Sequence, residues 1–463
     1  MNSKATNSDN RMHLWESICI MIFMFLVLGI LIIKYKMDPQ IPLLLVFTVL
    51  LFYGYLRYFT WDEMFAGVVE GITPGIIPIM IFLLIGLLVA TWLASGTIAT
   101  IMVIGIHILS IRFFLPTIFI ICGLVGMTIG SAFTTISTVG IALLGIGHIF
   151  GFPAPLTVGA IVSGAFFGNN MSPLSDTSNL TTSIAGVNLY DHLKNMAFTA
   201  VPAALITIVI YLFVGVPTTA VNSAKIQLMS SELSGHFQVS AWLLLPMLVV
   251  LILAWIKVPA IPTLLAGSLT AIGIFVVNHP HFSIAKIGDI LMNGYHAHFG
   301  DATDGIMSGG GITGMLSSIS LILCALALGG LLIKMGVVNT LINSIMQLVS
   351  RPGNLILMTS LSGIGVNLLV GEQYLSIILP GSAFKQAFHR QGIDSKYLSR
   401  TLATSGADVN ALVPWGVSGI FIAGTLGVDP FQYIPLAFYP YLNPLITIIL
   451  GYTFVSWKYR KQG

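Results

Sequence analysis

Apolar residues in this chain come in blocks of about 20, separated by short polar clusters, from Leu14 almost to the last residues. A block of that length is what an α-helix needs to cross a bilayer. The pattern predicts helices over 14 to 34, 41 to 59, 73 to 95, 97 to 110, 115 to 150, 154 to 170, 197 to 216, 240 to 256, 260 to 278, 311 to 334, 338 to 349, 354 to 386, 398 to 427 and 431 to 456. The expected fold is an all-α polytopic membrane protein with about 11 to 13 transmembrane segments. Two blocks, 115 to 150 and 354 to 386, are too long for one straight crossing and are interrupted by Gly and polar residues. They predict broken helices or re-entrant hairpins.

The blocks repeat. "EGITPGIIPIMIFLLIGLLVATWLASG" (70 to 96) is similar to "DGIMSGGGITGMLSSISLILCALALGGLLIKMG" (304 to 336). Downstream, in the same order, "IGSAFTTIS" (129 to 137) pairs with "VGEQYLSII" (370 to 378), and "IVSGAFFGNNMSPLSD" (161 to 176) with "ATSGADVNALVPWGVS" (403 to 418). Three pairs at one offset of about 240 residues divide the chain into N-terminal spans (1–59), a first repeat (60–220), linking spans (221–294) and a second repeat (295–463). Paired broken helices are the architecture of secondary transporters, which bind substrate near the midplane where helices unwind. An inverted relation between the halves is expected, and it requires an odd number of crossings between them.

Composition agrees with the pattern: 56% of the 463 residues are hydrophobic and 8% charged. The run from Trp15 to Ile33 lacks a small-residue cleavage site and is expected to stay as a helix. The net charge of +3 comes from bases in loops and at the tail, which sets orientation and gives nucleic-acid binding no support. The 385 to 400 loop, with Lys385, Arg390, Lys396 and Arg400, and the tail, with Lys458, Arg460 and Lys461, should both be cytoplasmic. Cys19, Cys122 and Cys324 lie singly in apolar runs, as space-filling thiols do, and His296 and His298 are poorly spaced for a chelate.

Most of the 16 acidic residues, Glu16 among them, fall at span ends or in loops and are expected to be solvated or interfacial. Asp176, Glu372 and Asp408 do not. A carboxylate at the bilayer centre costs roughly 2.5 to 3.5 kcal/mol, so it tends to face a cavity and to mark an ion path or proton relay. Asp176 could also serve as the N-cap of a helix beginning near Thr177, a role compatible with ion binding.

Around these acids stand amide and hydroxyl oxygens: Asn169, Asn170, Ser172, Ser175, Thr177, Ser178, Thr134, Thr135, Ser137, Ser405 and Asn410. Hard oxygens suit an alkali cation better than a soft transition metal. The polar segment "GNNMSPLSDTSNL" (168 to 180) thus reads as half of a cation site, with 405 to 416 the matching half and 130 to 137 and 370 to 376 contributing. Asp176, Asn170 and Thr134 are the expected ligands of that cation.

These residues also resemble a known family, the NhaC-type sodium/proton antiporters of bacteria, within the ion-transporter superfamily. The 168 to 180 segment is similar to that family's most characteristic stretch, "GSAFTTISTVGIAL" to its broken helix and "GEQYLSIILPG" to the matching segment of the second half. The likeness runs from about Trp61 to the last span. The chain departs from the pattern at Gly416, where Asn is usual, and at Asp408, where a neutral residue is typical.

The resemblance implies cation or proton binding at Asp176, with Na+ as the cation, and physical chemistry supplies a mechanism. Desolvation favours a neutral carboxyl and a bound cation favours the charged one, so Na+ and H+ exclude each other. Glu372 or Asp408 would carry a second proton. The expected function is Na+/H+ antiport across the bacterial inner membrane, without enzymatic activity and with no cofactor beyond the transported Na+ and H+. The family also contains exchangers of malate and protons for Na+ and lactate, which is the alternative reading. An intramembrane aspartyl protease using Asp176 and Asp408 is a distant one, because neither lies in a Gly-x-Gly-Asp signature. The expected partners are Na+ and Li+, malate and lactate, membrane lipid and a second copy of the chain.

Overall fold

The computed structural model describes residues 12–214, 223–237, 239–280, 282–299, 304–349 and 351–460. Lys461 of the basic tail lies outside them. The regular elements described are helices, apart from one bridge between Tyr295 and Gly309. Nine described helices are long and apolar enough to cross a bilayer. The larger count expected from sequence also took in shorter apolar helices such as Thr97–Ile108 and Val337–Met346.

The two overlong blocks are each cut in half by one glycine. Helix α1 (Phe114–Ile129) ends at Gly130, φ 76°, and α2 (Ala132–Ile149) starts after Ser131, whose hydroxyl caps the new helix. A left-handed residue is unfavourable for any side chain but glycine's hydrogen. In the second half α6 (Pro352–Val370) ends at Gly371, φ 75°, and α7 (Gln373–Arg390) starts after Glu372, whose side chain accepts from Leu375 N. Gly130 and Gly371 are the residues that the sequence pairing aligned. Between these hairpins come α3 (Ala154–Met171), α4 (Asp176–Ala185) and α5 (Leu189–Val214). The second hairpin is followed by α8 (Ser395–Leu402) with a π-turn over Ala403–Asp408, then α9 (Val417–Leu426) and α10 (Phe438–Tyr459).

Each hairpin brings its two ends to one face of the bundle. The Phe114 ring meets Phe150 edge-on at 5.3 Å and lies tilted 5.1 Å from Phe152, so the first hairpin starts and ends at one face of the bundle. The second does the same at the other end of α10, where Gly353 packs on Tyr452 and Asp394 N donates to Tyr459 Oη. The start of α3, which accompanies the first hairpin, meets Leu436 instead, just before α10 begins. The hairpins therefore open toward opposite ends of the last span.

Small residues let α1 and α3 run side by side. A Cβ on Gly164 would stand 2.3 Å from Phe119 O, and one on Gly168 2.3 Å from Gly123 O. This is the small-residue packing that replaces hydrophobic drive in a membrane. Gly168→Leu forces those backbones apart, with an expected loss of about 1–3 kcal/mol and no rescue by neighbouring flexible side chains. Thermal unfolding of purified protein checks it, and a variant as stable as the parent would contradict this packing.

Two sequence expectations change. Glu16 is not solvated but 4% exposed, because Tyr53 and Arg57 from the next helix and its end converge on it, with Arg57 at 2.9 Å. Arg400, counted among loop bases, is 2% exposed inside α8.

Candidate functional site

Helix α3 unwinds after Met171, and α4 begins at Asp176 with Ser175 as its N-cap. Proline at 173 cannot continue a helix, and Ser172 Oγ accepts from Leu174 N to hold the turn. Asp176 is the first residue of α4 and not its cap, although its Oδ1 does accept from Thr177 N at 2.8 Å. Its other oxygen accepts from Tyr374 Oη of α7. One hydrogen bond thus joins the broken helix of the first half to that of the second.

Asp176 is exposed to a cavity of about 600 Å³. Ser131 and Thr134 from the first break, Asn179, Tyr374 and Lys257 are among its walls. The cavity extends to Leu189 at the start of α5. That end lies beside Gly186 and Lys385, on the face where the second hairpin opens. Glu372, two residues before Tyr374, is fully buried. Its Oε1 and the Oδ1 of Asn169 have no partner among the described residues. Buried oxygens left bare are costly unless something donates to them or coordinates them.

Asp408 occupies a separate place. It is fully buried, its Oδ1 accepts from Asn170 Nδ2 at 2.7 Å and its Oδ2 from Asn443 Nδ2 at 2.8 Å. Both amides also donate to Tyr439 Oη at 3.0 Å. Asn170 therefore belongs to the Asp408 cluster and does not join Asp176 and Thr134 in one ligand set. Among the described residues the two carboxylates take different hydrogen-bond partners, Thr177 and Tyr374 for Asp176, Asn170 and Asn443 for Asp408.

The remaining predicted residues hold the breaks in shape. Asn410 donates to Asn367 Oδ1 and Gly371 O and accepts from Ser418 N, pinning the turn between the π-turn and α9. Asn169 donates to Thr177 Oγ1 across the break between α3 and α4, and Ser137 returns its hydroxyl to Thr134 O. Sequence reasoning missed Tyr374, Ser131, Asn443, Tyr439 and Asn367. Asn443 carried a signal, an amide inside an apolar run.

Residues 164–455 match the family model described as the Na+/H+ antiporter family, which is more than half of the chain. The chain belongs to that family. Its similarity to named members extends over nearly the full length. It is 39% identical over 454 residues to the Na+/H+ antiporter NhaC of Alkalihalophilus pseudofirmus, covering 98% of this chain and 96% of that one. It is 34% identical to the arginine/ornithine antiporter ArcD of Halobacterium salinarum, over 94% of this chain and 90% of the relative. It is 30% identical to the malate-2H+/Na+-lactate antiporter of Bacillus subtilis, over 95% and 94%. As a family member with nine apolar helices among its described residues, the chain is a multi-pass membrane protein.

Proposed function

We propose that this antiporter exchanges Na+ for protons across the bacterial inner membrane, with its C-terminus in the cytoplasm. The observation that carries the reading is Asp176: a carboxylate at a helix break, lining a wide cavity and held by Tyr374 of the other half. In this reading the two halves are inverted repeats spanning 60–220 and 295–463, and the paired breaks form the transport core. A carboxylate there takes either a cation or a proton, and the bare charge is too costly to carry inward, so exchange is obligatory. Ser131, Thr134 and the free oxygens of Glu372 and Asn169 supply hard ligands near it. Asp408, whose full burial makes its charge costly, is the second proton carrier in this reading.

Tyr374→Phe tests the bridge. Removing the hydroxyl takes a donor from the Asp176 carboxylate and an oxygen from the cation, so the proton gains on Na+ in both ways. The half-saturating Na+ concentration is expected to rise about 3- to 10-fold with exchange retained. An unchanged Na+ dependence would show that the tyrosine is only a wall.

A second reading is organic-acid exchange, because the cavity has room for a small carboxylate and Lys257 offers it a cation. Purified protein in proteoliposomes, with a pH dye and no organic acid, separates the two. A Na+-dependent pH change supports simple antiport. A response that needs malate or lactate supports the second reading.

A further inference from the structure

Helix α8 carries a buried cation that has no acidic partner among the described residues. Arg400 is 2% exposed, and its Nη1 donates to the Asn195 backbone and side-chain oxygens at 3.5 and 3.3 Å. The Tyr397 ring lies 5.4 Å from the guanidinium carbon. Nε and Nη2, which form the opposite edge of the fork, have no partner among the described residues. Next to it, Ser399 Oγ is 2.6 Å from His192 Nδ1 of α5. His192 is fully buried, and its Nε2 has no partner among the described residues.

The acids nearby in the chain are committed elsewhere. Asp394 pairs with Lys396 at 2.6 Å, Asp408 is taken by Asn170 and Asn443, and Asp191 is exposed. A buried charge is stable only when paired and hydrogen-bonded, and a guanidinium edge presents two parallel N–H groups matched to a carboxylate. A cation is excluded by charge. The neutral tautomer of His192 in which Nδ1 accepts from Ser399 leaves Nε2–H as one more donor.

We propose that the free edge of Arg400, together with His192, binds a small anion, a halide or a short carboxylate, between α5 and α8. This site is separate from the Asp176 cavity, whose walls include neither residue. Because α8 continues into the π-turn that ends at Asp408, a bound anion also clamps the helix that carries that acid against α5.

The test uses the purified full-length protein in choline salts at matched ionic strength, without Na+. Chloride and acetate are expected to raise the melting temperature over bulky gluconate in a saturable way, and chloride-35 NMR lines should broaden on binding and sharpen when acetate competes. His192→Gln should weaken the anion about tenfold, and Arg400→Lys, which keeps the charge and loses the fork, by at least as much. If Arg400→Lys does not fold, His192→Gln and the NMR competition on the parent protein decide. Absence of both the melting shift and the broadening would overturn the proposal. So would a shift that anionic lipid produces and chloride and acetate do not.

Discussion

Asp176→Asn is expected to abolish Na+-driven proton movement while leaving the protein folded and in the membrane. The change removes a unit charge from contact with the cation, worth on the order of 4 kcal/mol at 4 Å and an effective dielectric of about 20, close to a thousandfold in binding. It also removes the proton, since an amide has none to exchange. Little of the fold depends on that charge. Asn Oδ1 can still accept from Thr177 N, and the Tyr374 hydroxyl, a donor now, can accept from the new amide instead. Flux in proteoliposomes, with membrane expression checked alongside, measures it. Exchange at the parent rate would remove Asp176 from the mechanism.

The second large effect concerns voltage. If Asp408 carries a second proton against one Na+, each cycle moves one net charge. A potential of 100 mV then weighs about 2.3 kcal/mol, close to 50-fold in the Na+ gradient sustained at equilibrium. Asp408→Asn should remove that dependence and leave electroneutral exchange. The variant has a local cost, because its amide would face the donor of Asn170 or Asn443. Asn443 can turn its unpartnered Oδ1 toward it, so folding should survive. Reversal potentials at imposed Na+ and pH gradients read the charge moved per cycle. A variant whose exchange still follows potential would place the second proton on another group, Glu372 being the next candidate.

Much of this architecture was legible in the sequence for physical reasons. Apolar blocks must be helical because a bilayer cannot hydrogen-bond a bare backbone, and Gly130 and Gly371 announced the breaks because polar residues follow each within an overlong block. Asp176, Glu372 and Asp408 stood out by cost alone. What stayed hidden was pairing across the two halves. Nothing local tells Asn170 to reach Asp408 at a separation of 238 residues, or Tyr374 to reach Asp176 at 198. Tyr374 is also an aromatic at helical spacing, which in an apolar helix reads as packing. Arg400 was misplaced because basic clusters mark loops well on average, and only the fold shows that α8 turns this one inward.

The central claim is that one carboxylate holds either Na+ or a proton. The most direct test is to add NaCl to the purified protein in weak buffer near its working pH and count protons released, with choline chloride as the control. Saturable release approaching one proton per protein is expected, absent in Asp176→Asn. Na+ binding without proton release, or equal release from the variant, would contradict it.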